Sequence, residues 1–190
     1  MSLKLFIQRA FTAKPWLKVL LPLLVISLFT ACKEPTYNPY AGYIPTAEEI
    51  EQQKVKDDQI IQKYFDDNQT GEYAVNKDAV VKTSSGLYYL KEEEGTGPAI
   101  TSGSTVDVHY IGRFTNNVKF DSSYDRAQTF PVTIDKTGVI KGWHEALKLM
   151  KGGERARFFI PSYLGYSYNG NGSIPPNTVL VFDIKVERVR

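Results

Sequence analysis

The sequence predicts an α+β domain: an antiparallel sheet of about five strands wrapped on one short helix, preceded by a helical arm. Three observations carry this. From residue 82 onward, runs rich in β-branched and aromatic residues are punctuated by Gly, Pro and Asn clusters, the pattern of strands and turns. Within that region one stretch, Trp143 to Met150, has the 3.6-residue period of an amphipathic helix. Upstream, residues 46–67 lack Pro and Gly and are rich in helix formers.

Taken in order, residues 1–31 carry Lys4, Arg9, Lys14 and Lys18 and no acid, and end in an apolar run, Val19–Phe29. The run is shorter than the roughly 20 residues a membrane-spanning helix needs. It fits the core of a signal peptide, about 7–15 residues after a basic region. Leu28-Phe29-Thr30-Ala31-Cys32 follows, with the chain's one cysteine. This stretch resembles a bacterial lipobox, with Phe29 where Leu is usual, and implies acylation of Cys32 as the new N-terminus. An ordinary buried cysteine or a short membrane anchor are the alternatives. Lys33 follows the cysteine, where an Asp would hold many lipoproteins in the inner membrane, so the expected site is the outer membrane, its periplasmic face or the cell surface.

Residues 32–45, with Pro35, Pro39 and Pro45, read as an extended tether. Thr46-Ala47-Glu48-Glu49 reads as a capping box opening the arm, 46–81, whose helix runs to about Asp67. Its apolar points, Ile50, Ile61, Tyr64 and Phe65, make a thin stripe. Either it is a spacer that rests on the domain or holds it off the membrane, or it pairs with a second copy or an envelope-complex partner. Residues 82–190 form the domain. Its strands are expected at Gly86–Lys91, Thr105–Gly112, Phe130–Ile134, Glu154–Ile160 and Thr178–Glu187. Period two places Val106, Val108 and Tyr110 on one face of the second strand and Leu180, Phe182, Ile184 and Val186 inward on the last. The helix turns Trp143, Ala146, Leu147 and Met150 inward and stops at Gly152-Gly153.

Composition excludes several functions. Basic and acidic residues nearly balance, 23 against 21, and the excess of positive charge lies in residues 1–31, so a nucleic-acid partner is not expected. One cysteine and two histidines, His109 and His144, give no basis for a disulfide framework or a metal site. No nucleophile elbow or phosphate-cradling loop is present, and both histidines read as structural or surface groups. Aromatics, by contrast, concentrate near turns: Tyr110, Phe120, Phe130, Trp143, Tyr166 and Phe182. Part of this set belongs to the core. Yet an apolar cup with a few polar groups is also the usual form of a small-molecule or peptide pocket.

Val106-Asp107-Val108-His109-Tyr110-Ile111-Gly112, Phe120-Asp121-Ser122-Ser123, Val139-Ile140-Lys141-Gly142-Trp143, Ile160-Pro161-Ser162-Tyr163-Leu164-Gly165-Tyr166, Ile174-Pro175-Pro176-Asn177-Thr178 and Leu180-Val181-Phe182-Asp183 occur in that order. Together they closely resemble the FKBP-type peptidyl-prolyl cis/trans isomerases over residues 83–190. The resemblance implies an FKBP-like fold and an enzyme without cofactor or metal, acting on proline-containing polypeptides. It implies an aromatic lining of Tyr110, Phe120, Phe130, Trp143 and Phe182, with Trp143 as the floor. It further implies that the Ile140 N–H and the Tyr166 hydroxyl bond substrate carbonyls beside Val139. Asp121 and Arg126 form the polar rim, and Ile174 closes the pocket from the last long loop. For Asp121 a turn-capping role in Phe-Asp-Ser-Ser stands beside the electrostatic one. Gly138 departs from the Glu many members carry, Ser167 from a common glycine and Ser173 from a frequent apolar residue.

The expected function is a membrane-anchored prolyl isomerase that assists exported proteins. The alternatives are a non-catalytic peptide-binding or assembly subunit of an envelope secretion or motility machine, and a chaperone that holds clients with residues 46–67.

Overall fold

The computed structural model describes residues 43–190. Cys32, the signal-peptide reading and most of the tether lie outside the described residues.

Helix α1 (Ala47–Asp67) begins at the expected capping box. Thr46 Oγ1 accepts the Glu49 N–H at 3.2 Å, and the Glu49 carboxylate takes the Thr46 N–H at 2.8 Å. Two otherwise orphaned donors are thereby satisfied. The apolar stripe works only in the last turns. Ile61, Tyr64 and Phe65 are buried, whereas Ile50, Val55 and Ile60 stay exposed.

Seven antiparallel strands make one sheet: β1 (Val81–Lys82), β2 (Tyr88–Glu93), β3 (Thr105–Phe114), β4 (Lys119–Ser122), β5 (Phe130–Thr133), β6 (Arg155–Ile160) and β7 (Leu180–Val189). Their order is β1-β2-β6-β7-β3-β4, and β5 also pairs with β3. The expected strands are all present; β1 and β4 are additional. β1 has two residues and β4 four, too few for a period to register. Strand β3 is shared along its outer edge. Residues 105–108 pair with β5 and residues 111–113 with β4. Between them the Tyr110 backbone bonds hydroxyls and a turn: its N–H goes to Ser123 Oγ at 2.9 Å and its carbonyl takes the Ser123 N–H at 3.1 Å.

Helix α2 (Lys141–Lys148) starts two residues earlier than the sequence suggests. Trp143, Ala146, Leu147 and, just beyond it, Met150 pack with Val106, Val108, Leu180, Phe182, Ile184 and Val186 as one core. On the opposite face of the sheet α1 forms a second core, in which Ile61, Tyr64 and Phe65 meet Tyr88, Leu90, Phe159, Val179 and Val181. The sheet is therefore covered on both faces. That is why Val179-Leu180-Val181-Phe182 is continuously apolar instead of alternating.

A buried ion pair ties the segment after α1 to the same face. Arg157 Nε donates to Asp183 Oδ1 at 2.6 Å, and Arg157 Nη1 reaches the carbonyls of Tyr73 and Ala74 at 3.2 and 3.3 Å. No helix among the described residues is long and apolar enough to cross a membrane.

Candidate active site

Four strands and three connecting segments converge above the first turn of α2. Tyr110 comes from β3 at the gap between its two edge partners, Phe120 and Asp121 from β4, Phe130 from β5 and Phe182 from β7. Arg126 ends the short 3-10 turn Tyr124–Arg126, Val139 and Ile140 precede α2, and Tyr166 lies in the loop after β6. With Trp143 and Gly138 they line one cavity of about 410 Å³. Ligand pockets span about 300–1,000 Å³, so this volume lies toward the small end of that range.

Trp143 is 4% exposed and forms the base. Tyr110, Phe130 and Phe182 stand nearly perpendicular to the indole, at 86°, 81° and 90°, with ring centroids 5.0, 5.9 and 5.3 Å away. Edge-to-face contacts of this kind are worth roughly 0.5–1.5 kcal/mol each beyond burial, so the walls hold one another upright. Phe120 extends the wall from Phe182, at 5.6 Å and 88°. Gly112 makes this possible. A Cβ there would come within 2.7 Å of Phe120 and 2.8 Å of Phe182.

The polar rim is a closed triad. Tyr110 donates its hydroxyl hydrogen to Asp121 Oδ2. Arg126 donates to Asp121 Oδ1 at 2.7 Å and to the Tyr110 oxygen at 2.8 Å. The Ser122 N–H also caps Asp121, at 2.8 Å, so the turn-capping and rim placements of Asp121 coexist. Burial alone would raise the Asp121 pKa, but the bonds from Tyr110 and Arg126 outweigh it and hold the carboxyl below its ordinary value. Burial, helped by the hydrogen bond to Asp121, pushes Tyr110 up to about 12.

A pH dependence follows from that shift. An unfolded tyrosine ionises near 10, so the native state favours the neutral phenol. This stabilisation is fully present below pH 10 and is lost as pH rises through about 12. Wild type and Tyr110→Phe should therefore converge in urea midpoint between about pH 10 and 12. Parallel curves across that window would contradict it.

Two polar groups of cavity-lining residues have no protein partner among the described residues. The Ile140 N–H meets no acceptor among the described residues, while its carbonyl takes the Trp143 N–H at 3.0 Å. The Tyr166 hydroxyl likewise has no hydrogen-bond partner among the described residues, and none of their buried side-chain polar atoms is unpaired. Its tip is therefore not buried, and the residue lines the cavity.

Of the expected site residues, ten come together here. Ile174 is placed apart: it is 7% exposed, packs in the α2 core and does not line the cavity. Asn171 exchanges both backbone bonds with it at 2.9 Å, which turns the loop inward. Both histidines support loops. His144 Nδ1 accepts the Asp135 N–H and Nε2 meets the Thr137 carbonyl, each at 3.1 Å. This clamps the loop that leads to Val139. His109 bonds Ser123 Oγ at 3.0 Å and stacks on Tyr124 at 4.5 Å. Neither the Gly112 clearance nor the His144 clamp has a local sequence signal, since both depend on which loops meet them in space.

Residues 97–187 match the family model described as FKBP-type peptidyl-prolyl cis-trans isomerase. The "FKBP-type peptidyl-prolyl cis-trans isomerase FkpA" of Aeromonas hydrophila is 46% identical over 110 residues, 58% of this chain and 40% of that protein. The "FK506-binding protein" of Neisseria meningitidis serogroup B is 40% identical over 105 residues, 55% of this chain and 96% of that protein. Among solved structures, FkpA from Escherichia coli aligns with a TM-score of 0.60 and 32% identity, over 75% of this chain and 63% of that one. AtFKBP13 aligns with a TM-score of 0.56 and 32% identity, over 58% of this chain and 98% of that one. The match thus spans less than half the length of the longer relative, but nearly all of the shorter ones. The rings, rim and open donors described above lie within the matched residues, and the chain belongs to the FKBP-type peptidyl-prolyl cis-trans isomerase family.

Proposed function

We propose that the cavity over Trp143 catalyses cis–trans rotation of Xaa–Pro bonds in exported polypeptides, and that the chain is a lipid-anchored folding catalyst of the cell envelope. One observation carries the catalytic part. Perpendicular aromatic walls enclose a flat floor, and two open hydrogen-bonding groups, the Ile140 N–H and the Tyr166 hydroxyl, sit at its margin.

The chemistry needs little else. Rotation about the amide meets a barrier of about 18–20 kcal/mol and takes tens to hundreds of seconds unaided at proline. The planar amide is polar, with negative charge on oxygen, and water stabilises it. The twisted amide has lost that resonance and needs water less. A prolyl ring seated on Trp143 among Tyr110, Phe120, Phe130 and Phe182 leaves water behind, which disfavours the planar form. The Ile140 N–H and Tyr166 hydroxyl hold the flanking carbonyls while the central bond turns. Phe130 and Val139 border the ring, and Ile174 steadies the last loop from beneath. Asp121 and Arg126 hold the Tyr110 hydroxyl through the bonds of the rim and set a fixed field beside the twisting carbonyl. Each 1.36 kcal/mol gained by the twisted form is about tenfold in rate.

The test is an isomerase assay on a Xaa–Pro peptide. Wild type should shorten the exchange time well below the uncatalysed one, and Trp143→Leu should restore most of it. If both give the background rate, the cavity is a peptide-holding module of an envelope assembly and not an enzyme. Aggregation assays of a chain lacking 46–67 score the third possibility, client holding by α1.

The envelope reading rests on residues outside the described part. Cys32 is acylated after removal of 1–31, residues 32–45 tether the chain, and Lys33 favours the outer membrane. A single acyl chain binds membranes only marginally and two or more anchor stably. Metabolic labelling with a fatty acid should mark wild type and leave Cys32→Ala unlabelled. Equal labelling of both would remove the anchor.

A further inference from the structure

Among the buried ionisable groups that the isomerase reading leaves unused, Asp57 lies nearest the site's own loop. Asp57 projects from the middle of α1, is fully buried, and reaches across to the loop that carries Tyr166. Its Oδ2 accepts both the Ser162 N–H, at 2.8 Å, and the Ser162 hydroxyl, at 2.7 Å. Its Oδ1 takes the Gln53 amide at 2.7 Å. A carboxyl removed from water is costly, and burial raises the Asp57 pKa despite these bonds.

Ser162 opens the 3-10 turn Ser162–Leu164, and the residue before it, Pro161, has no side chain able to cap the turn. Asp57 supplies that cap from another element, satisfying a backbone donor the turn leaves free. From there the chain is stiff. The Leu164 N–H bonds the Pro161 carbonyl at 3.0 Å and the Gly165 N–H bonds the Ser162 carbonyl at 2.9 Å. The Tyr163 hydroxyl is fixed to the Ser85 carbonyl at 3.0 Å. Tyr166 comes next, with its own hydroxyl unanchored. Its ring packs against the α2 core and its carbonyl takes the Gly170 N–H at 3.2 Å, so the preceding turn sets the backbone from which the ring reaches the cavity.

We propose that Asp57 is a positioning residue for the prolyl site: through Ser162 it holds the Tyr166 loop in register over the cavity, so the helical arm is part of the catalytic apparatus. The inference rests on the isomerase reading and adds to it a residue outside the matched family region. A tyrosine displaced by an ångström loses much of its bond to a substrate carbonyl, and misplacements of that size cost up to about a hundredfold in rate.

The experiment measures kcat/KM on a Xaa–Pro peptide with the full chain. Asp57→Leu fills the space without an acceptor and should lose about tenfold. Asp57→Asn keeps an acceptor toward Ser162 and, with the Gln53 amide reversed, satisfies every bond; it should stay within about threefold of wild type. Because Asp57 acts through Tyr166, Asp57→Leu added to Tyr166→Phe should cost less than about twofold further, a non-additivity that general destabilisation would not produce. Should Asp57→Leu fail to fold, Ser162→Ala, which removes only the hydroxyl donor, takes its place with a smaller loss that also vanishes beside Tyr166→Phe. Wild-type activity in Asp57→Leu, full additivity with Tyr166→Phe, or equal losses in the Asn and Leu variants would overturn the proposal. If wild type itself gives only the background rate, the isomerase reading fails first. Hydrogen exchange of amides 163–167 then decides positioning: faster in Asp57→Leu supports it, unchanged rejects it.

Discussion

Phe65→Ala is expected to lower the unfolding free energy by about 3–5 kcal/mol, the usual cost of emptying a fully buried phenylalanine site. Phe65 is 2% exposed. It meets Phe159 edge-on at 4.7 Å and 81°, and Tyr88 at 5.7 Å and 75°. Deleting the ring removes those contacts and leaves a void whose neighbours belong to the sheet and cannot all collapse into it. A free spacer helix would behave otherwise, since its side chains touch nothing in the domain. Urea unfolding checks the difference, with Val55→Ala on the exposed side of the same helix as control. Val55→Ala should stay within about 0.5 kcal/mol. Equal midpoints for the two variants would place α1 outside the cooperative unit.

Trp143→Leu should cut kcat/KM on a Xaa–Pro peptide by roughly 30–150-fold. The indole meets three rings edge-on and offers the prolyl ring a flat apolar floor. Leucine keeps the hydrophobic character but not the flat face, and the walls lose their common abutment. Losing the flat apolar face under the buried prolyl ring costs about 2–3 kcal/mol of transition-state binding. The same change leaves a cavity in the α2 core, so the assay belongs at a temperature where both proteins are shown folded by near-ultraviolet circular dichroism. A folded Trp143→Leu protein with wild-type kcat/KM would rule out the floor.

Much of this molecule is legible without coordinates, and the parts that are not share a cause. The capping box at Thr46 and Glu49 is local, written in four consecutive residues. The inward sets on β7 and α2 are periodic, and the ordered motifs locate the rings of the cavity. What stays hidden is long-range. β4 and β1 exist because β3 and β2 pair with them. The stripe of α1 looks thin because only its last turns meet the sheet, and Asp57 reads as one acid among several on a charged helix. Nothing in its neighbours indicates that Ser162 lies opposite. The clearance at Gly112 depends on Phe182, seventy positions later. Pairings and burial of this kind are properties of the assembled sheet.

The borders of that sheet bear on the proposed handling of unfolded chains. One border is β1, two residues long, with Lys82 bonded to Asp58 of α1. The other is divided between β4, four residues long and set off by an irregularity in its register, and β5, where Pro131 offers no N–H. Short, interrupted or donor-poor margins are how β proteins avoid recruiting foreign segments. On the proposed isomerase function, an extended client at the aromatic pocket would find no ledge on which to zip up as an eighth strand, and would leave once its proline had turned.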